Sequence, residues 1–208
     1  MDTSAFIVFE GGEGAGKSTQ SGALADYLHA RGHAVVRTRE PGGTPAAEAI
    51  RAVLLDTANA GLDDRAEALL FAAARGDHAA RVIRPALARG DIVVCDRFMD
   101  SSLAYQGVAR GLGIDRVCDL SLWATGGLQP ALTIVLDVDP DLGLARVVGP
   151  DRLEAEPAEW HARVRQAFLD IAATDPDRYL VLDASRPAED LAVEIAMAVG
   201  ALLGDDSL

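Results

Sequence analysis

Five short apolar runs punctuate the chain, at residues 5–9, 34–38, 92–95, 132–136 and 179–182, each rich in Val, Ile and Leu. Runs of this length without clean polar alternation predict strands buried on both faces, as in a parallel sheet. Between them lie longer stretches with apolar residues at helical spacing, at 17–30, 45–55, 63–89, 114–125, 142–148, 158–173 and 187–203. The alternation of strand and helix predicts an α/β fold with a five-stranded parallel sheet. Right-handed crossovers then put helices on both faces, and ligands collect beyond the carboxyl ends of the strands. Glycine pairs at 42–43 and 126–127 and the Gly149-Pro150 dipeptide mark turns. Residues 146–157 read as a short lid.

Composition narrows this picture. A chain of 208 residues that is 50% hydrophobic and 25% charged is globular and of a length for one domain. Acidic residues outnumber basic ones 32 to 19, giving a formal charge of −13. Such a surface repels a polyanion, so no nucleic-acid polymer is expected as a partner. Any anionic ligand must be held by locally clustered Arg, Lys and backbone N–H groups. Cys95 and Cys118 are far apart and outside any metal-binding spacing, and Cys95 in its apolar run reads as a packed thiol. The first residues carry no basic region, and the apolar stretch 191–203 is interrupted by Glu194 and too short to span. No membrane and a cytoplasmic location are therefore expected.

The chemistry is densest at residues 11–18, GGEGAGKS, directly after the first strand and directly before a helix. The spacing Gly11-x4-Gly16-Lys17-Ser18 is that of a phosphate-binding loop. Gly11, Gly12, Glu13, Gly14, Ala15 and Gly16 wrap the phosphates of ATP with backbone N–H groups. Lys17 reaches the β and γ phosphates, Ser18 offers a hydroxyl to Mg²⁺, and Thr19 adds a hydrogen bond to the α-phosphate. The run IVVCD ends in Asp96, which reads as the carboxylate that holds Mg²⁺. An Asp closing a buried strand is otherwise commonplace, and the upstream loop is what favours the metal.

Such a loop serves hydrolysis, signalling and phosphoryl transfer alike, so the acceptor side must decide. A phosphorylated acceptor brings about two negative charges next to ATP and needs guanidinium groups to offset the repulsion. Arg39 and Arg97 follow the second and third strands, and Arg51 and Arg75 lie on helices that line the cleft between them. Each alone also reads as a surface arginine in a helical ion pair; the set points to a kinase rather than a switch or assembly ATPase. An acceptor phosphate is already ionised at neutral pH, so no general base is required. His29, His33, His78 and His161 all fall in helical stretches and suggest none.

The motifs FIVFEGGEGAGKST, TREPGGT, EALLFAAAR, CDRFMDSSLAYQG, LTIVLDV and DRLEAE together closely resemble the bacterial thymidylate kinase family over nearly the full length. The resemblance implies a P-loop kinase fold, transfer of the ATP γ-phosphate to dTMP on the way to dTTP, Mg²⁺ as cofactor, and a homodimer. It implies that Arg97 grips the dTMP phosphate, with Glu40 and Arg51 completing that end. It also implies that Phe71 stacks on thymine, Arg75 hydrogen-bonds the base, Ser102 and Gln106 line the base pocket, and Tyr105 packs by the deoxyribose and disfavours a 2′-hydroxyl. Without the family, Phe71 reads as core and Tyr105 and Gln106 as loop residues.

The chain departs from the family pattern at one point. Some members carry an arginine in the phosphate loop and others carry basic residues in the lid. Glu13 excludes the first arrangement here, yet residues 146–156, RVVGPDRLEAE, are shorter and less basic than the usual lid. Arg146 and Arg152 are the candidates for the cation that meets transition-state charge, and Arg152 is favoured. The competing reading pairs Arg152 with a nearby glutamate at the surface.

Overall fold

A computed structural model describes residues 5–149 and 151–204. Residues 1–4, read above for a leader, and Pro150 of the lid turn lie outside the described residues. Five strands, β1 (Phe6–Glu10), β2 (Val35–Arg39), β3 (Ile92–Asp96), β4 (Leu132–Asp137) and β5 (Tyr179–Asp183), form one parallel sheet in the order β2-β3-β1-β4-β5. The register runs Phe6↔Val93 to Phe9↔Asp96 on one side of β1 and Ile7↔Leu132 to Glu10↔Val135 on the other. The strand order reverses about β1, and the crevice opens where β1 and β3 end.

The unbroken apolar runs are explained by two cores, one on each face. Phe6, Val8, Val93, Cys95 and Val135 point into one, while Ile7, Phe9, Ile92, Val94, Ile134 and Leu136 point into the other. Alternate residues leave a strand on opposite sides, so both must be apolar when both faces are covered. Helices α1 (Lys17–Ala30) and α9 (Ala188–Leu203) close the second face through Leu24, Leu28, Leu191, Ile195 and Val199. Helices α6 (Ile114–Thr125) and α8 (Ala158–Ala173) close the first through Val117, Val164, Phe168 and Ile171. Each such side chain removed from water contributes about 1.5–3 kcal/mol.

Helix α2 (Pro45–Leu55) starts on a favourable pair: Pro45 needs no N–H in the first turn, and the Thr44 hydroxyl accepts from the Ala47 N–H at 3.0 Å. Three helical segments differ from the pattern-based expectation. The stretch expected over 63–89 is α3 (Asp64–His78), a wide five-residue turn Ala79–Ile83, and α4 (Arg84–Ala88). Pro85 lacks an N–H for the carbonyl four residues back and its ring crowds that carbonyl, which accounts for the widening. The helix expected over 142–148 is shorter, α7 (Pro140–Leu144). Residues 99–109, given no helix by the pattern, form α5 (Met99–Ser102) and a wide helical segment Leu103–Ala109. Its buried Met99, Leu103 and Ala104 recur at helical spacing, a signal that Gly107 and the polar residues around it obscure.

Candidate active site

The phosphate loop leaves β1 at Glu10 and re-enters helix at Lys17. Its glycines are required by close approach: a Cβ on Gly11 would lie 2.4 Å from the Leu136 carbonyl oxygen, and one on Gly14 2.0 Å from that of Gly143. Gly16, at φ 91°, turns the chain into α1, whose first turn has no side-chain cap. The leading N–H groups of α1 are thus available to an anion. Lys17 Nζ donates to the Gly12 and Gly11 carbonyls at 2.6 and 3.1 Å, folding over the loop. Ser18 Oγ donates to Asp96 Oδ2 at 2.6 Å, joining the loop to the end of β3. Arg146 Nη1 donates to the Gly14 carbonyl at 3.0 Å.

Arg97 follows β3 and holds φ 71°, the left-handed region that costs a non-glycine residue about 1–2 kcal/mol. Its N–H donates to the Phe9 carbonyl at 2.8 Å, fixing the turn between the central strands. The turn aims its guanidinium across the loop. There Nη2 donates to both Glu13 carboxylate oxygens at 2.9 Å, and Nη1 donates to the Gly11 carbonyl and Ser101 Oγ, each at 3.1 Å. Tyr105 donates its hydroxyl to Glu13 Oε1 at 2.7 Å, and its ring lies 5.2 Å beneath the Arg97 guanidinium. Arg51 donates to the Pro41 carbonyl at 2.9 Å, and Arg39 pairs with Glu48 at 2.9 Å. Buried Glu40 accepts from Arg75 Nε at 2.8 Å and hydrogen-bonds His78 Nδ1 at 3.0 Å.

Burial and charge divide this cluster. Burial, with Arg97 adding to it, lowers Lys17 to about 8 despite the pull of Glu13 and Asp96. Burial pushes Glu13 up, but Arg97, Lys17 and the Tyr105 hydroxyl more than offset it and bring Glu13 to about 2. Burial and the Asp100 carboxylate raise Glu10 to about 7, against hydrogen bonds from Ser101 and the Phe98 N–H and the charge of Arg97. Burial also lowers Arg51, and Arg39 beside it acts the same way. The site therefore concentrates cationic groups in a low-dielectric crevice of an otherwise acidic molecule, an arrangement suited to multiply charged phosphates.

A cavity of about 700 Å³ runs through this crevice. Of the residues singled out from sequence, it brings together the loop from Glu13 to Thr19 with Asp96, Arg97, Glu40, Arg51, Phe71, Ser102, Tyr105 and Gln106. Gly11 and Gly12 stay behind the loop, off the cavity wall, and act through their carbonyls on Lys17. Glu13, grouped above with the ATP-binding loop, has its carboxylate held by Arg97 and Tyr105.

Two expectations need correction. Arg75 lies behind the cavity wall: Glu40, Ser121, the Phe98 carbonyl and Ser102 accept four hydrogen bonds from it, leaving little of the guanidinium to read a base. Arg152, expected over the phosphates, is only 5% exposed and points away from the loop. Its Nη1 meets Glu67 at 2.6 Å and its Nε donates to the Leu54 carbonyl at 2.8 Å. It is paired with a glutamate, but in the interior rather than at the surface. The cavity wall carries Arg146 instead.

The sequence reading missed part of the cavity wall, Gln20, Ala184, Arg186, Ala188 and Leu191. The signal available was the turn ASRP immediately after the fifth strand, at the carboxyl end where ligands gather. It also missed Glu10, a carboxylate closing an apolar strand just before the glycines, which accepts from the Phe98 and Ser101 N–H groups at 2.8 and 3.0 Å.

Comparison with known proteins agrees with this geometry. Residues 9–195 match the family model described as Thymidylate kinase. The chain is 52% identical over 202 residues to a thymidylate kinase of Symbiobacterium thermophilum, covering 96% of this chain and 94% of the relative. It is 50% identical to that of Deinococcus radiodurans, covering 96% and 98%. The crystal structure of thymidylate kinase from Ehrlichia chaffeensis superposes with a TM-score of 0.76 at 36% identity, over 92% of this chain and 98% of that one. Phosphate loop, parallel sheet and cation cluster thus occur together in a P-loop kinase fold, and the chain belongs to the thymidylate kinase family.

Proposed function

We propose that this chain, acting as one nucleoside monophosphate kinase domain, transfers the γ-phosphoryl group of ATP to dTMP, giving dTDP and ADP on the way to dTTP. The observation that carries the reading is one cavity whose lining includes Arg186 and Leu191, the loop residues Lys17 and Ser18 with Arg97, and Phe71 and Gln106. Two nucleotides laid end to end there meet at the phosphate loop. Lys17, the loop amides and Thr19 hold the ATP phosphates, and Arg97, Arg51 and Arg39 offset the charge of the acceptor phosphate. Phe71 gives a flat apolar surface for the base, with Ser102 and Gln106 at its edge and Tyr105 beside the sugar.

Asp96 Oδ2 and Ser18 Oγ, 2.6 Å apart, are hard oxygen donors of the kind Mg²⁺ takes alongside phosphates and water, so the residues fit the ion. Bound there, Mg²⁺ would neutralise charge on the β and γ oxygens. The acceptor oxygen is already ionised, so positioning and charge stabilisation suffice. Segment 146–157 acts as the lid, and Arg146, already on the Gly14 carbonyl, supplies its cation.

The chain works in the cytoplasm as a homodimer. Adjacent helices α2, α3 and α6 each present a large exposed apolar residue, Val53, Leu69 and Trp123, and among the described residues no helix is long and apolar enough to cross a membrane. The reading is tested by ADP release with Mg·ATP and a panel of nucleoside monophosphates. dTMP should give the highest kcat/KM, and a rate at background with dTMP would overturn it.

A further inference from the structure

Glu67 is a fully buried carboxylate off the cavity wall, with no part in phosphoryl transfer as set out above. It stands one turn before Phe71 on α3. Three elements meet on it. Its Oε1 accepts from Gln106 Nε2 at 2.9 Å, and Arg110 reaches both of its oxygens at 3.4 Å. Its Oε2 meets Arg152 Nη1 at 2.6 Å, and the other side of Arg152 is tied to the Leu54 carbonyl at the end of α2. Arg110 continues outward to Glu156 at 2.6 Å. One carboxylate therefore joins the helix that carries Phe71, the segment that carries Gln106, and both ends of the residues that follow Asp151.

The chemistry of that junction is directional. A carboxylate only accepts, so the amide of Gln106 must turn its NH₂ to Glu67, leaving its carbonyl oxygen as the free polar group. Gln106 lines the cavity beside Phe71. An acceptor fixed there suits a base edge carrying an imide N–H, as in thymine, and opposes the bare ring nitrogen that cytosine presents at the same position. A neutral amide at position 67 could bond Gln106 in either orientation, and the distinction would be lost.

We infer that Glu67 is a positioning residue for acceptor recognition: it locks the Gln106 amide in one orientation and, through Arg152 and Arg110, ties that orientation to the lid. This rests on the dTMP kinase reading. The pairing of buried ions by itself need not add stability, and here its use is specificity.

The test compares kcat/KM for dTMP and dCMP, with wild type, Glu67→Gln, Gln106→Ala and the double variant, each checked by circular dichroism. Glu67→Gln should lower the dTMP preference at least tenfold, mostly through a higher KM for dTMP, while KM for ATP stays within twofold. The double variant should be no worse than Gln106→Ala alone, because Glu67 acts through that amide. Should Glu67→Gln fail to fold, Glu67→Asp carries the test: it still only accepts, and should keep the preference within threefold while kcat/KM falls. A folded Glu67→Gln enzyme with the wild-type preference, a fully additive double variant, or a Glu67→Asp enzyme that loses the preference would overturn the inference. Inactivity of the wild type with dTMP would instead overturn the function itself.

Discussion

The two lid arginines make opposite predictions. Arg146 sits at the phosphate loop, and on the proposed function a cation there would meet the charge that builds on the transferred phosphoryl group. Removing an arginine of this kind costs about 10³ or more in rate, or about 4 kcal/mol of transition-state stabilisation. Arg146 is exposed and among the described residues holds the Gly14 carbonyl alone, so Arg146→Ala should leave the melting temperature nearly unchanged. Arg152→Ala should do the reverse. Its 2.6 Å pair with Glu67 lies in the interior, and removing one partner leaves the carboxylate uncompensated at a cost of about 3–5 kcal/mol. For a chain of this size that is a fall of about 10 °C in Tm. The kcat of the folded enzyme should stay within tenfold. The assay is coupled ADP release at saturating ATP and dTMP, beside calorimetry of both variants. An Arg152→Ala enzyme that melts like wild type but loses 10³ in kcat would refute the reasoning, as would an Arg146→Ala enzyme within tenfold of wild type.

Two further expectations concern the metal and the buried acid. Asp96→Ala removes the carboxylate 2.6 Å from Ser18, so the Mg²⁺ concentration giving half-maximal rate should rise at least tenfold; an unchanged Mg²⁺ curve would place the ion elsewhere. Glu10, raised to about 7 by burial and by Asp100, keeps in the folded state a proton that the unfolded chain sheds near its ordinary value of 4.5. Its contribution is therefore present below about pH 4.5 and lost as pH rises to about 7, on the order of 3 kcal/mol. Glu10→Gln should flatten the pH dependence of Tm between pH 5 and 8, and a wild-type slope in that variant would show that Glu10 does not titrate there.

The contrast between the arginines also explains what a sequence can and cannot convey here. The sheet was legible because a strand covered on both faces must be apolar at every position, and Phe6 to Phe9 satisfy that rule without reference to anything distant. The phosphate loop was legible because close approach to Leu136 and Gly143 forbids a Cβ, which leaves glycine as the mark. Arginine bears no comparable mark. Arg75, Arg97 and Arg152 each follow from the same side chain, and their different fates are set by acceptors 23 to 98 residues away: Phe98 for Arg75, Glu13 for Arg97, Leu54 for Arg152. Arg75 and Arg152 lie off the cavity wall, spend N–H groups on protein acceptors and act as struts, whereas Arg97 makes as many bonds as Arg75 but lines the cavity, where an anion can compete for it. The distinction depends on where each guanidinium sits relative to the cavity, which only the folded chain supplies. By that measure Arg146, which lines the cavity and among the described residues has one carbonyl partner, is the group of the proposed lid that an incoming phosphate would recruit at least cost.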